Sequence, residues 1–61
     1  MTMKPDWKDA PEWARWLAQD RSGEWYWHQY EPQWEGAEWE SVGLNRRAGY
    51  SDPAKTLERR P

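Results

Sequence analysis

The sequence predicts a small, mainly β fold: a two- to three-stranded antiparallel meander with an N-terminal turn and an irregular C-terminal tail. Three observations predict it. Asp20-Arg21-Ser22-Gly23 carries Asp at the first position and Gly at the fourth, the pattern of a type I hairpin turn followed by a glycine bulge. Directly after it stands Glu24-Trp25-Tyr26-Trp27-His28-Gln29-Tyr30-Glu31, the strongest strand signal in the chain. The 61 residues also hold seven tryptophans and three tyrosines but no phenylalanine and no cysteine, so indoles must supply most of the core.

Residues 1–10 contain Pro5 and alternating charges and read as an extended lead-in to an aromatic domain over 11–47, with 48–61 as a flexible tail. Residues 11–20 fit two readings. As a helix, Pro11 suits the first turn and Trp13, Trp16 and Leu17 share a face. As a strand, Trp16 and Ala18 alternate with Arg15, Leu17 and Gln19. A hairpin turn needs a strand on both sides, so the expectation is a hairpin of Arg15–Asp20 with Glu24–Glu31, preceded by one loose turn at Pro11–Ala14. With Asp20 opposite Glu24, Ala18 faces Tyr26 and Trp16 faces His28 on one side of the sheet. Leu17 then faces Trp27, and Gln19 faces Trp25, on the other. Both sides carry aromatics, and a two-stranded ribbon is marginal in water, so a cover is required.

Pro32 should end the second strand, because it lacks a donor and restricts Glu31. Gln33–Gly36 then forms a loop bearing Trp34. Ala37–Val42 can form a short third strand with Trp39 inward and Glu38 and Glu40 outward. Gly43, Asn45-Arg46-Arg47 and Gly49 suggest irregular chain, and Ser51–Pro61, with two prolines and few apolar residues, suggests a frayed end.

Composition narrows the function classes. A chain this short has a marginal core, with no disulfide to help it and one histidine, too few for an ordinary zinc site. No apolar run suits a signal peptide or a membrane span, so a soluble cytoplasmic protein without a membrane partner is expected. Residues 1–40 hold nine acids and four bases, whereas 41–61 hold two acids and five bases. That is an acidic aromatic body with a short basic tail.

No catalytic residue, metal site or cofactor is predicted. His28 reads as a strand histidine packed on an indole, and neither Ser22 nor Ser41 sits at a strand-to-helix elbow. No phosphate-binding loop is present, and Glu24, Glu31, Glu38 and Glu40 read as a solvated rim. Nucleic-acid binding would use ring stacking with the pairs Arg46/Arg47 and Arg59/Arg60, yet these lie outside the aromatic block, whose rings alternate with carboxylates. An acidic surface that imitates DNA is served poorly by a net charge of −2. Protein binding ranks first, since Trp, Tyr and Arg are the side chains enriched at interface hot spots. The expected contact residues are Trp25 and Trp27 with Trp34 and Trp13, rimmed by Glu24 and Glu31. The competing use of Trp25 and Trp27 is as core. A homodimer or small homo-oligomer is the other way to cover the sheet.

The stretch from Pro11 to Pro32 resembles small accessory proteins of tailed bacteriophages and prophages, in which a segment A-x-D-x-x-G-x-W-Y precedes an aromatic, Glu and Pro and then a further Trp. Ala18, Asp20, Gly23, Trp25, Tyr26, Tyr30, Glu31, Pro32 and Trp39 occupy those positions. The resemblance covers about half the chain and carries no catalytic signature. It implies a non-enzymatic protein that binds and modulates, or inhibits, a bacterial host protein in the host cytoplasm.

Overall fold

The computed structural model describes residues 4–36, 38–51 and 56–61. Ala37 of the expected third strand, residues 1–3 of the lead-in and residues 52–55 of the tail lie outside the described residues. The rest form a four-stranded antiparallel sheet and a separate two-stranded one, with a single 3₁₀ turn at Trp7–Asp9.

The hairpin forms as its turn requires. β1 (Trp16–Gln19) pairs with β2 (Glu24–His28) in the register Trp16↔His28, Leu17↔Trp27, Ala18↔Tyr26 and Gln19↔Trp25, as expected from the sequence. The Gly23 amide donates to the Asp20 carbonyl and the Asp20 amide to the Glu24 carbonyl, which closes the turn. The loose turn before β1 is present too, closed by the Ala14 amide on the Pro11 carbonyl at 3.0 Å.

Corrections begin past His28, where β2 ends. Gln29 and Tyr30 bend the chain away, and Glu31 too lies outside the ladder. β3 (Gln33–Trp34) pairs with β4 (Trp39–Glu40) in a minimal hairpin, so Trp34 stands in a strand and the expected third strand shrinks to two residues that do not join β2. The partner of β2 is β5 (Asn45–Tyr50), with a bulge opposite Trp25 and Tyr26, and β6 (Thr56–Arg59) pairs with β1. The sheet order is β5-β2-β1-β6. Segments expected to be irregular or frayed are therefore its two edge strands. Context overrides their weak propensity: a hairpin with two free edges offers ladder partners, and strand preference is largely a matter of fitting such a surface.

The two faces are covered by different parts of the same chain. On one, Leu17, Trp25 and Trp27 form the core with Ala14, and Trp7, Ala10, Trp13 and Ala48 close over them. Trp7 meets Trp27 with ring centroids 5.0 Å apart. The lead-in is thus a packed lid, not an extended arm; Asp6 caps its 3₁₀ turn by accepting from the Lys8 amide. On the other face lies the β3–β4 hairpin. The Trp39 amide donates to Asp20 Oδ1 at 2.9 Å, and its indole Nε1 donates to the Gln19 carbonyl at 3.0 Å.

Candidate functional site

Strand geometry disperses the residues expected to make one aromatic patch. Trp25 and Trp27 are each only 4% exposed, so they are core and cannot dock a partner from this fold. The reason is the lid: both indoles point to the face that Trp7 and Trp13 cover. Trp13 is half-buried there with the Arg46 guanidinium 5.8 Å above its ring. Trp34 belongs to the small hairpin on the opposite face, half-buried and edge-on to Trp39 at 5.3 Å. Glu24 is ion-paired with Arg47 at 3.0 Å, and Glu31 is exposed at the open end of the hairpin.

The arginine pairs are divided in the same way, because neighbours along a strand point to opposite faces. Arg46 lies opposite Trp27 and Arg47 opposite Tyr26. Arg59 lies opposite Trp16, while the Arg60 Nη1 turns toward the lid and donates to the carbonyls of Pro11 and Ala14.

Two of the surface hollows among the described residues bear on function. The first, of about 480 Å³, lies between the sheet and the β3–β4 hairpin and gathers Asp20, Glu35, Glu38 and Glu40 around His28 and Ser41. His28 is 1% exposed; its Nδ1 is hydrogen-bonded to Ser41 Oγ at 3.1 Å, while its buried Nε2 has no partner among the described residues. Burial holds the His28 pKa below 6.5, partly opposed by the negative charge of Asp20, so the ring is neutral near pH 7. Sequence reasoning did not connect Ser41 with His28; their contact depends on how the small hairpin folds back. Among the described residues no group of His, Cys, Asp and Glu is arranged to hold a metal.

The second hollow, of about 490 Å³, lies at the open end of the hairpin and is lined by Arg15, Trp16, Tyr30, Glu31, Arg59 and Arg60, with Gln29 and Pro61 at its margin. Its walls are fixed by backbone bonds. The Arg15 amide donates to the His28 carbonyl, and the Arg60 amide to the Arg15 carbonyl at 2.7 Å. Beside it stands a small apolar tip, where Tyr30, Val42 and Leu44 are 55%, 51% and 53% exposed. They adjoin because Gly43, at φ +81°, runs so close to the Tyr30 ring that a β-carbon would lie 2.7 Å from it. The Gln29 side-chain oxygen accepts from the Leu44 amide at 3.0 Å and holds the tip in place. Sequence reasoning missed this tip, since Tyr30 and Leu44 are far apart in the chain and neither sits in an apolar run.

No helix among the described residues is long and apolar enough to cross a membrane. No family model matches the chain, and no curated protein or solved structure matches it either, so the resemblance of residues 11–32 to phage accessory proteins stands on those residues alone.

Proposed function

We propose that this is a non-catalytic accessory protein that binds another protein through the open end of its hairpin and modulates it by covering part of its surface. The observation that carries the reading is the cluster of Tyr30, Val42 and Leu44, each more than half exposed, against a hollow lined by Trp16 and three arginines. Single exposed apolar residues are ordinary, whereas a contiguous group bordered by Trp, Tyr and Arg has the composition of an interface hot spot. The resemblance to phage accessory proteins makes the partner a bacterial host protein and the host cytoplasm its place of action.

The Ser41–His28 contact suits a latch better than an activated nucleophile. A general base must be oriented through its second nitrogen, and His28 Nε2 has no such partner among the described residues. Four carboxylates around the hollow would also oppose an oxyanion rather than stabilise it.

Affinity capture from a bacterial lysate with the native protein and with Val42→Ser/Leu44→Ser tests the reading. A host protein retained by the native chain and lost from the variant is the expected result, with the unfolding midpoint unchanged because both positions are exposed. Equal retention by both proteins, or none by the native chain, would refute it.

A further inference from the structure

The hollow beside the apolar tip has an unusual charge balance. Arg15, Arg59 and Arg60 line it together with one acidic side chain, Glu31. Among the described residues the ion pairs are Lys4–Glu58 and Arg47–Glu24, so none of these three guanidiniums has a carboxylate partner. Arg15 and Arg60 are instead held by backbone carbonyls: Arg15 Nη1 donates to Glu12 at 2.7 Å and to Ala14 at 3.1 Å, and Arg60 Nη1 donates to Pro11 and Ala14. Those bonds fix the direction of each fork and leave its other N–H groups for a ligand. Arg60 is also braced by the Trp7 ring 5.7 Å away. Arg59, the last residue of β6, is exposed and lies across the ladder from Trp16.

Three guanidiniums, two of them held in place, in a protein whose net charge is negative, mark a place for an anion. Two anionic classes could use it. A single-stranded nucleic acid would stack on Trp16 and Tyr30, but it has no aliphatic surface for Val42 and Leu44. A short peptide segment that combines acidic and apolar side chains uses every feature at this end: carboxylates on the arginines, and apolar side chains on Tyr30, Val42 and Leu44.

We infer that the open end of the hairpin recognises an acidic, apolar-bearing peptide segment of the partner, with Arg15 and Arg59 binding its carboxylates and the Tyr30–Val42–Leu44 tip its apolar residues. This rests on the protein-docking reading above and names what that surface selects.

The probe is a random heptapeptide library displayed on filamentous phage and selected on the purified full chain, on Arg15→Gln/Arg59→Gln and on Val42→Ser/Leu44→Ser. A fluorescein-labelled single-stranded DNA decamer is titrated in parallel. The native chain is expected to enrich peptides that pair Asp or Glu with Leu, Ile or Phe. The best of these should bind the Arg→Gln variant at least about tenfold more weakly, the loss expected for charge-assisted hydrogen bonds. Enrichment without acidic residues, or acidic peptides that bind the Arg→Gln variant undiminished, overturns the inference and leaves the docking reading standing. Failure to enrich any peptide, or enriched peptides indifferent to both variants, overturns both. Salt-sensitive binding of the decamer, tighter than any selected peptide and lost in the Arg→Gln variant, assigns the hollow to nucleic acid and also overturns the inference. All four of these side chains are exposed, and far-ultraviolet circular dichroism confirms that each variant is folded.

Discussion

At Gly23 the backbone takes φ +100°, and a β-carbon there would lie 2.5 Å from the Ser51 carbonyl oxygen and 2.8 Å from the Tyr50 ring. Gly23→Ala therefore meets backbone strain and a clash together, and a loss of about 1–3 kcal/mol in urea unfolding is expected. The same corner holds a buried polar knot. Ser51 Oγ accepts from the Trp25 indole at 2.7 Å and from the Gln19 side-chain Nε2 at 3.1 Å, while the Ser51 backbone amide donates to the Gly23 carbonyl. Ser51→Ala leaves the Trp25 donor unsatisfied inside the core and should cost about 1–3 kcal/mol by the same measurement. His28 makes stability depend on pH. Its folded pKa lies below the ordinary 6.5, so the unfolded chain takes up a proton that the folded chain resists. This contribution is complete above pH 6.5 and is lost as pH falls from there toward the folded value. Glu58, held below 4.5 mainly by hydrogen bonds from Lys4 and Trp7, adds a second loss at more acid pH, smaller because the group is partly exposed. Urea midpoints measured from pH 8 to pH 2 should fall in that order, and His28→Gln should flatten the first stage.

Among the elements, the register of the β1–β2 hairpin was legible in the sequence, though not the end of β2 at His28, because a turn with Asp first and Gly fourth fixes the pairing of the strands it joins and not their length. β5 and β6 were not. Asn45–Tyr50 contains two arginines and a glycine, and its place beside β2 is decided by a long-range ladder that leaves no local periodicity to read. β6 is a four-residue strand following residues 52–55, and its Leu57 lies across the ladder from the small Ala18. The site suffered from the same blindness. Trp25 and Trp27 looked like a free aromatic face because the lid over them comes from a lead-in without hydrophobic pattern. The exposed tip joins Tyr30 to Val42–Leu44 only after the chain has turned at Gly43. If β6 is a structural edge strand, ending the chain at Ser51 removes the ladder partner of β1, the Glu58 anchor of Trp7 and the Arg60 bonds to Pro11 and Ala14. The truncated protein is expected to lose its cooperative urea transition and to shift its tryptophan emission toward that of exposed indole. A frayed tail would leave both unchanged.

In the whole molecule the aromatic surplus is divided rather than displayed. One face of the sheet is closed by the Trp7–Trp13 segment and the other by the β3–β4 hairpin, so the chain covers by itself the sheet that, as an isolated hairpin, would need a second copy. Its radius of gyration of 10.4 Å is close to the about 10.5 Å expected for a compact chain of this length. Among the described residues the exposed large apolar side chains are distributed unevenly: Tyr30, Val42 and Leu44 gather at the open end, while Tyr50 stands apart beside the turn at Gly23. Docking through the open end is the central claim, and those two tyrosines test it directly. p-Benzoylphenylalanine is placed at position 30 or at position 50, the protein is irradiated in a bacterial lysate, and covalent adducts are resolved by mass. A discrete partner adduct from position 30 and none from position 50 is expected; adducts from position 50 alone, or none from either, would refute docking through the open end.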